Sequence, residues 1–292
     1  MAPADTPAAR LRARLAHGPP LLLPGCADAL TARIAADAGH EAIYATGAGI
    51  SNALLGLPDL GLATLTEMTD QVGRICDAVD VPVVVDLDTG HGNALNARRA
   101  VRAMETVGAA AIQIEDQVFP KRCGHFDGKA VVSRAEMIAK IAAALDARRD
   151  PGTVVIARTD AIAAEGFEAA LERANAYADA GADLVFVEAP RTRQQLEDLP
   201  RRVGAPLVVN MVEGGLTPLL GADELGSMGY RVVLYANTAL RAGMLAVQEA
   251  LRRLRDERGS AAFLDRLIDW DERQRLVGTN EMRALESRYA AD

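Results

Sequence analysis

The sequence predicts a closed (β/α)8 barrel, and three observations carry that expectation. Short runs rich in Val and Ile alternate with longer Ala/Leu/Arg/Glu stretches of helical period, eight times along 292 residues. Consecutive parallel strands need a crossover of a dozen or more residues, and each helical stretch supplies one. Polar and charged residues then collect where the strands end, the edge at which such barrels carry their chemistry. An open doubly wound sheet is the alternative, but the TGAG run at residues 46–49 lacks the GxGxxG spacing of a dinucleotide fold.

In chain order, the expected strands are residues 21–26, 42–46, 81–86, 111–115, 154–158, 184–188, 207–211 and 232–236. The expected helices are residues 29–38, 66–79, 94–107, 134–149, 167–180, 193–203, 222–228 and 240–257. Several helices stop at a glycine, as in DAGHE, TVGAA, DAGAD and SMGYR, where a left-handed residue can close the last turn. Residues 1–19 read as an N-terminal helical arm, and residues 260–292 as a helical extension that a complete barrel does not need. Such an appendage suits a subunit contact. With no Pro/Ser-rich linker or low-complexity segment, residues 1–292 are expected to form one domain.

Composition narrows the function classes. Half the residues are apolar, a quarter charged and 4% aromatic, which excludes a disordered chain, a collagen or a coiled coil. The 32 basic and 40 acidic residues leave a net charge of −8, so no cation excess is available for a phosphate backbone and nucleic acid is not an expected partner. No apolar run is long enough for a membrane span, and the Arg-containing N-terminus lacks the apolar centre of a signal peptide. Cys26, Cys76 and Cys123 are too few and too scattered for a disulfide framework, which fits a reducing cytoplasm.

The strand ends bring Tyr44, Thr46 and Gly47, then Asp86 and Asp88, Glu115 and Asp116, Arg158 and Asp160, Glu188, Asn210 and Glu213, and Asn237 followed by Arg241. Residues i and i+2 of a strand point the same way, so Asp86 and Asp88 can share the barrel mouth, where two close anions need a cation or protons. Mg²⁺ suits them, with Glu115 and Asp59 completing the shell partly through water. The other reading is a helix cap and an arginine partner. Arg158 ends a buried strand, and its fork suits a substrate carboxylate, although Glu188 alone would also satisfy it. In KRCGH, Lys121, Arg122 and His125 surround Cys123 with positive charge, which would lower the thiol pKa and make it a usable acid, base or nucleophile; a surface thiol in a basic loop is the equal alternative. The segment 118–131 is long for a βα connection, as a closing lid is. Cys26 and Cys76 read as packing residues.

TGAGISNALLGLPDLG, VVVDLDTGHGN, IEDQVFPKRCGH, VVIARTDA, FVEAP and NMVEGG, in this order and spacing, resemble the isocitrate lyase and phosphoenolpyruvate mutase superfamily from about Pro24 to the C-terminal helix. The resemblance implies a barrel whose eighth helix is swapped with a partner, in a tetramer built as a dimer of dimers. It also implies Mg²⁺ or Mn²⁺ and a small 2-hydroxy or 2-oxo carboxylic acid. By resemblance Asp86, Asp88, Asp59 and Glu115 form the metal set, and Thr46, Gly47 and Ala48 with Arg158 hold the 2-oxo acid carboxylate. Cys123, Gly124 and His125 lie on the lid, Glu188, Asn210 and Arg241 line the opposite side, and Tyr44 and Lys121 are candidates for proton handling.

Members with the KxCGH lid are similar in breaking a carbon–carbon bond. The implied activity is therefore cleavage of a 2-methylisocitrate-like or 2,3-dimethylmalate-like acid to pyruvate plus a second acid, with Cys123 as general acid. Asn210-Met211-Val212 departs from the Asn-Ile-Thr of methylisocitrate lyases, and the NMVEGG run and the chain's ending look more like the dimethylmalate lyase and oxaloacetate acetylhydrolase branch. Oxaloacetate hydrolysis is the alternative, followed by phosphorus–carbon mutase chemistry and by a non-catalytic barrel that binds a 2-oxo acid.

Overall fold

The computed structural model describes residues 5–122, 124 and 128–290. Eight strands, β1 (Leu21–Cys26), β2 (Ile43–Ala45), β3 (Val83–Asp86), β4 (Ala111–Glu115), β5 (Val154–Thr159), β6 (Leu184–Val187), β7 (Leu207–Asn210) and β8 (Tyr230–Tyr235), pair in chain order. All pairings are parallel, and β1 closes on β8 with Leu21 opposite Val232. The helices are α1 (Pro7–Ala16), α2 (Ala29–Asp37), α3 (Gly47–Ile50), α4 (Leu65–Ala78), α5 (Ala94–Thr106), α6 (Arg134–Ala147), α7 (Ala161–Ala164), α8 (Phe167–Asp179), α9 (Arg193–Arg202), α10 (Ala222–Met228), α11 (Thr238–Glu257), α12 (Trp270–Leu276) and α13 (Thr279–Tyr289). The expected barrel is thus the observed one.

Local chemistry explains where the helices start. Side chains of Asp28, Thr64, Asn93, Ser133 and Thr192 each accept an otherwise unpaired N–H in the first turn, and Thr64 with Glu67 and Asn93 with Asn96 do so reciprocally. Some bounds differ from the sequence reading. β3 begins at Val83 rather than at 81, since Pro82 has no N–H to give and joins β2 only through its carbonyl, which accepts from Ile43. β8 starts at Tyr230, two residues early, because left-handed Gly229 closes α10 at once. The TGAG run is helical after all: Thr46 caps α3, which runs into a π-helical turn, Ser51–Leu55, ended by left-handed Gly56.

Strand alternation sorts the barrel interior into layers. On β5, Val154, Ile156 and Arg158 share one parity; on β6, Leu184 and Phe186 share one that continues to Glu188. The lower residues join Leu21, Leu23, Val84, Ala111 and Val232 in an apolar interior cluster. Above it the same parity presents Asp86, Glu115, Arg158 and Glu188, all buried. The lower end is closed by α1, whose Ala8 and Leu11 join that interior cluster. Arg12 anchors the helix by donating to the Gly152 carbonyl at 2.6 Å and to Asp183 at 2.9 Å, and Arg231 donates to the Gly18 carbonyl at 2.8 Å.

The eighth barrel helix is different from the rest. None of the residues of α11 is buried, and Leu245, Val247 and Leu251 are exposed, as are Leu30 and Ile34 on α2. Beyond it, a 3₁₀ turn, Ala261–Arg266, leads to α12, which reaches back to α2 through Arg275 and Asp37 at 2.6 Å. Among the described residues, no helix is long and apolar enough to cross a membrane.

Candidate active site

Arg158, at the end of β5, is the electrostatic centre of the barrel mouth. Its Nε donates to Asp160 Oδ2 at 2.9 Å and its Nη2 to Asp160 Oδ1 at 3.1 Å. Glu115, its register partner on β4, lies 3.3 Å away, and Glu188 lies 3.7 Å away. The guanidinium also stacks 5.1 Å from the Phe186 ring centre. Burial alone would favour the neutral form; Asp160, Glu188 and Glu115 outweigh it and hold Arg158 firmly charged. Burial likewise pushes Asp160 up, but Arg158 and Lys129 bring its carboxyl below the usual range.

Beside it stands an acidic cluster. Asp86 Oδ2 accepts from the Gly47 N–H at 3.3 Å, and its Oδ1 accepts from the Asp88 N–H and from Gln113 Nε2, each at 3.3 Å. A Cβ at Gly47 would lie 3.1 Å from Asp86 Oδ2 and 3.2 Å from Asp88 Oδ1, so both carboxylates crowd the first residue of α3. Asp88 takes a left-handed backbone, φ 48°. Lys121 reaches into the cluster, 2.7 Å from Asp88 Oδ1 and in contact with Asp59. Burial raises the Asp88 pKa to about 6 against the pull of Lys121, with Asp86 and Asp59 adding to the rise. Burial also pushes Glu115 up, and its Oε1 has no hydrogen-bond partner among the described residues.

A cavity of about 200 Å³ opens above these groups. Tyr44, Thr46, Ala48, Asp59, Asp86, Lys121, Arg158 and Glu188 line one part; Asn210, Val212, Glu213, Leu234, Ala236 and Asn237 line the other. Lys121, Arg122 and Gly124, on the loop after β4, also line it. An antiparallel bridge between Gln117 and Val131 pinches the loop at its base, and the Val118 N–H donates to the Ala130 carbonyl at 2.8 Å. The side chain of Lys129 is buried and joins the Gly124 carbonyl to Asp160, 3.0 Å away. Gly124 presses on the arginine so closely that a Cβ there would fall 2.5 Å from Arg158 Nη2 and 2.6 Å from Glu188 Cγ.

The sequence profile described as phosphoenolpyruvate phosphomutase matches residues 11–255. The chain belongs to this family. Within the wider phosphoenolpyruvate mutase/isocitrate lyase superfamily, it is 40% identical to the 2,3-dimethylmalate lyase of Eubacterium barkeri, over 97% of this chain and 98% of that protein. It is 43% identical to the 2-methylisocitrate lyase of Aeropyrum pernix, over 96% and 90%. Among solved structures it resembles oxaloacetate acetylhydrolase in complex with 3,3-difluorooxalacetate, with a TM-score of 0.93 and 34% identity over 99% and 98% of the two chains. It also resembles a phosphonopyruvate hydrolase complex with oxalate and Mg²⁺, with a TM-score of 0.87 and 33% identity over 97% and 99%.

In this member of the family, the residues singled out from sequence fall in three groups. Tyr44, Thr46, Gly47, Ala48, Asp59, Asp86, Asp88, Glu115, Lys121, Gly124, Arg158, Glu188 and Asn210 meet at the mouth. Arg241 stands off it: its side chain is exposed and donates to the Glu213 carbonyl at 2.6 Å, and Glu213 is what lines the cavity. Cys123 and His125 lie outside the described residues. Tyr44 donates to Gln113 Oε1 at 2.9 Å, and burial with the Asp86 charge raises its pKa well above the tyrosine range, so it stays protonated. Among the described residues, no set of three His, Cys, Asp or Glu side chains stands in ready-made ligating geometry, because the Lys121 ammonium sits against Asp59 and Asp88.

Sequence reasoning passed over Gln113 and Lys129. Gln113 was legible as the one amide in the apolar strand AIQIE; Lys129 carries no local signal, since its partners lie on β5 and across the loop. Burial pushes the Cys26 and Cys76 thiols up to about 12, in keeping with packing roles.

Proposed function

We propose that this chain is a divalent-metal-dependent carbon–carbon lyase that cleaves a 2-methylisocitrate-like or 2,3-dimethylmalate-like 2-hydroxy acid to pyruvate and a second carboxylic acid. One observation carries the reading: Arg158, clamped by Asp160 and covered by Gly124, forms a charged seat for a carboxylate next to a cluster of hard oxygen donors. The named lyases that the chain resembles over nearly its whole length support it.

The donor set fits Mg²⁺ or Mn²⁺. Asp59, Asp86, Asp88, Glu115, Asp160 and Glu188 outnumber Lys121, Arg122, Lys129 and Arg158, the described cations at the mouth, and Glu115 Oε1 has no hydrogen-bond partner among the described residues. A divalent cation offsets that excess. Asp86 and Asp88 would hold it, with Asp59 and Glu115 beyond them, and it would supply Lewis-acid polarisation of the 2-hydroxyl and a carboxylate oxygen.

The chain's own residues do the rest. Arg158 pairs with the carboxylate that becomes that of pyruvate, and Thr46 and Ala48 line the same cavity. Glu188 stands beside Arg158 to take the 2-hydroxyl proton as the C2–C3 bond breaks and C2 becomes a carbonyl. The electron pair left on C3 takes the proton of the Cys123 thiol. Gly124 over the arginine keeps bulk water from that carbon.

Oxaloacetate hydrolysis to oxalate and acetate is a second reading, favoured by the likeness to oxaloacetate acetylhydrolase. Purified protein with Mg²⁺, offered 2-methylisocitrate, 2,3-dimethylmalate and oxaloacetate in parallel, separates the two. Pyruvate from either of the first two supports the lyase; oxalate from the third and no pyruvate would replace it with the hydrolase. The exposed apolar residues of α11, together with Leu30 and Ile34, support a contact with a second chain, in keeping with a homotetramer of helix-swapped dimers, and the sparse, scattered cysteines fit a cytoplasmic location.

A further inference from the structure

Asn237 occupies the N-cap of α11, yet its side chain makes no capping hydrogen bond, unlike Asn93 at the start of α5. Its Oδ1 is buried and has no hydrogen-bond partner among the described residues. Asn210 Oδ1 is in the same state, and both amides line the cavity. A buried amide left unpaired is costly, and side chains of this type are nearly always satisfied by protein, water or ligand. Since an amide can turn to present either its oxygen or its NH₂ group, the pair can offer donors without adding charge.

The position of these amides says which part of a ligand they meet. Arg158 is on β5, Asn210 ends β7 and Asn237 follows β8, with β6 between the first two strands. The neighbouring Val212, Leu234 and Ala236 bring no charge, and Glu213 and Arg241 pair with each other at 3.5 Å. We propose that Asn237 contacts the substrate and, with Asn210, recognises the carboxylate of the half that leaves as the second acid. That carboxylate also takes up the charge developing as the C2–C3 bond breaks, so amide donors aimed at it bind it and lower the barrier together. The proposal rests on the lyase reading, in which the pyruvate half is the one held by Arg158.

Asn237→Ala tests it, since the amide makes no capping bond for the substitution to remove. The probes are succinate and propionate for the second half and oxalate for the pyruvate half, with binding followed by calorimetry in Mg²⁺. The expected result is about 10- to 100-fold weaker binding of at least one second-half probe, the loss of one charge-assisted hydrogen bond, with oxalate affinity and Tm unchanged. Asn237→Asp should weaken that probe further by repulsion. Unchanged succinate and propionate binding in Asn237→Ala, failure of the wild type to bind either, or an equal loss for oxalate would overturn the proposal. Failure of the lyase reading is seen separately, as absence of pyruvate from wild-type turnover.

Discussion

Asp160 grips Arg158 with both of its carboxylate oxygens, at 2.9 and 3.1 Å, although the two residues are only two apart in sequence. The clamp fixes the plane of the guanidinium before any ligand arrives. Asp160→Asn keeps the shape and removes the charge, so Arg158 turns towards Glu115 and Glu188. Oxalate binding should weaken about tenfold or more, the scale of a charge-assisted hydrogen bond, whereas Arg158→Ala should abolish it. Calorimetry on the two variants checks this; wild-type affinity in Asp160→Asn would mean that the clamp does not orient the arginine.

Lys129 ties the loop after β4 to the barrel through Gly124 and Asp160. Lys129→Met keeps the apolar stem and removes the ammonium, leaving Asp160 with one cation. Turnover should fall about tenfold or more while amide exchange around residues 128–132 speeds up, as expected when a covering loop is released. Lys129→Arg should recover part of both. Loss of turnover with unchanged exchange would place the effect on Arg158 alone.

How much of this was readable in the sequence depends on the range of the interaction. Strand parity alone brought Asp86, Arg158 and Glu188 to one face, and the i, i+2 relation in ARTDA already contains the Asp160 clamp. The α3 turn was missed because its glycines are poor helix formers; its start depends on the Thr46 cap, and its fit depends on the Asp86 carboxylate against Gly47. Asn237 was placed at the end of its strand by the same alternation, but its unpaired amide was not legible. Lys129 was out of reach for a plainer reason: its partners lie across the loop and on the next strand, and nothing within a few residues of it encodes them.

The α12 segment is held to α2 by Arg275, whose guanidinium donates to both Asp37 oxygens at 2.6 Å. The hydrogen bonds from Arg275 hold the Asp37 carboxyl below its ordinary value of 3.8. A lowered carboxylate pKa contributes stability above the unfolded value and loses it as pH falls through the folded one. The difference in Tm between wild type and Asp37→Asn should therefore be constant near neutrality, begin to shrink as the pH drops below about 4 and vanish once the pH has fallen below the lowered folded value, with a similar loss in high salt. A gap that persists at low pH would assign the contact to packing.

On α11, Leu245 and Leu251 face solvent in a single chain. Leu245→Glu with Leu251→Glu should lower the mass in solution towards one chain, as measured by light scattering, because burying two carboxylates in an apolar contact is unfavourable. A wild-type protein that already runs as a monomer would refute the swapped assembly.

The plug formed by α1 has a consequence for traffic. With Leu11 sealing the lower end, the described residues leave the barrel open at the mouth, and a lyase that makes two products from one substrate would send both out through it. On the proposed seating, the fragment held by Arg158 beneath Gly124 would leave last. Product inhibition would then acquire a direction: the pyruvate-like fragment should compete with incoming substrate for the seat it vacates, while the second acid, gone first, should not.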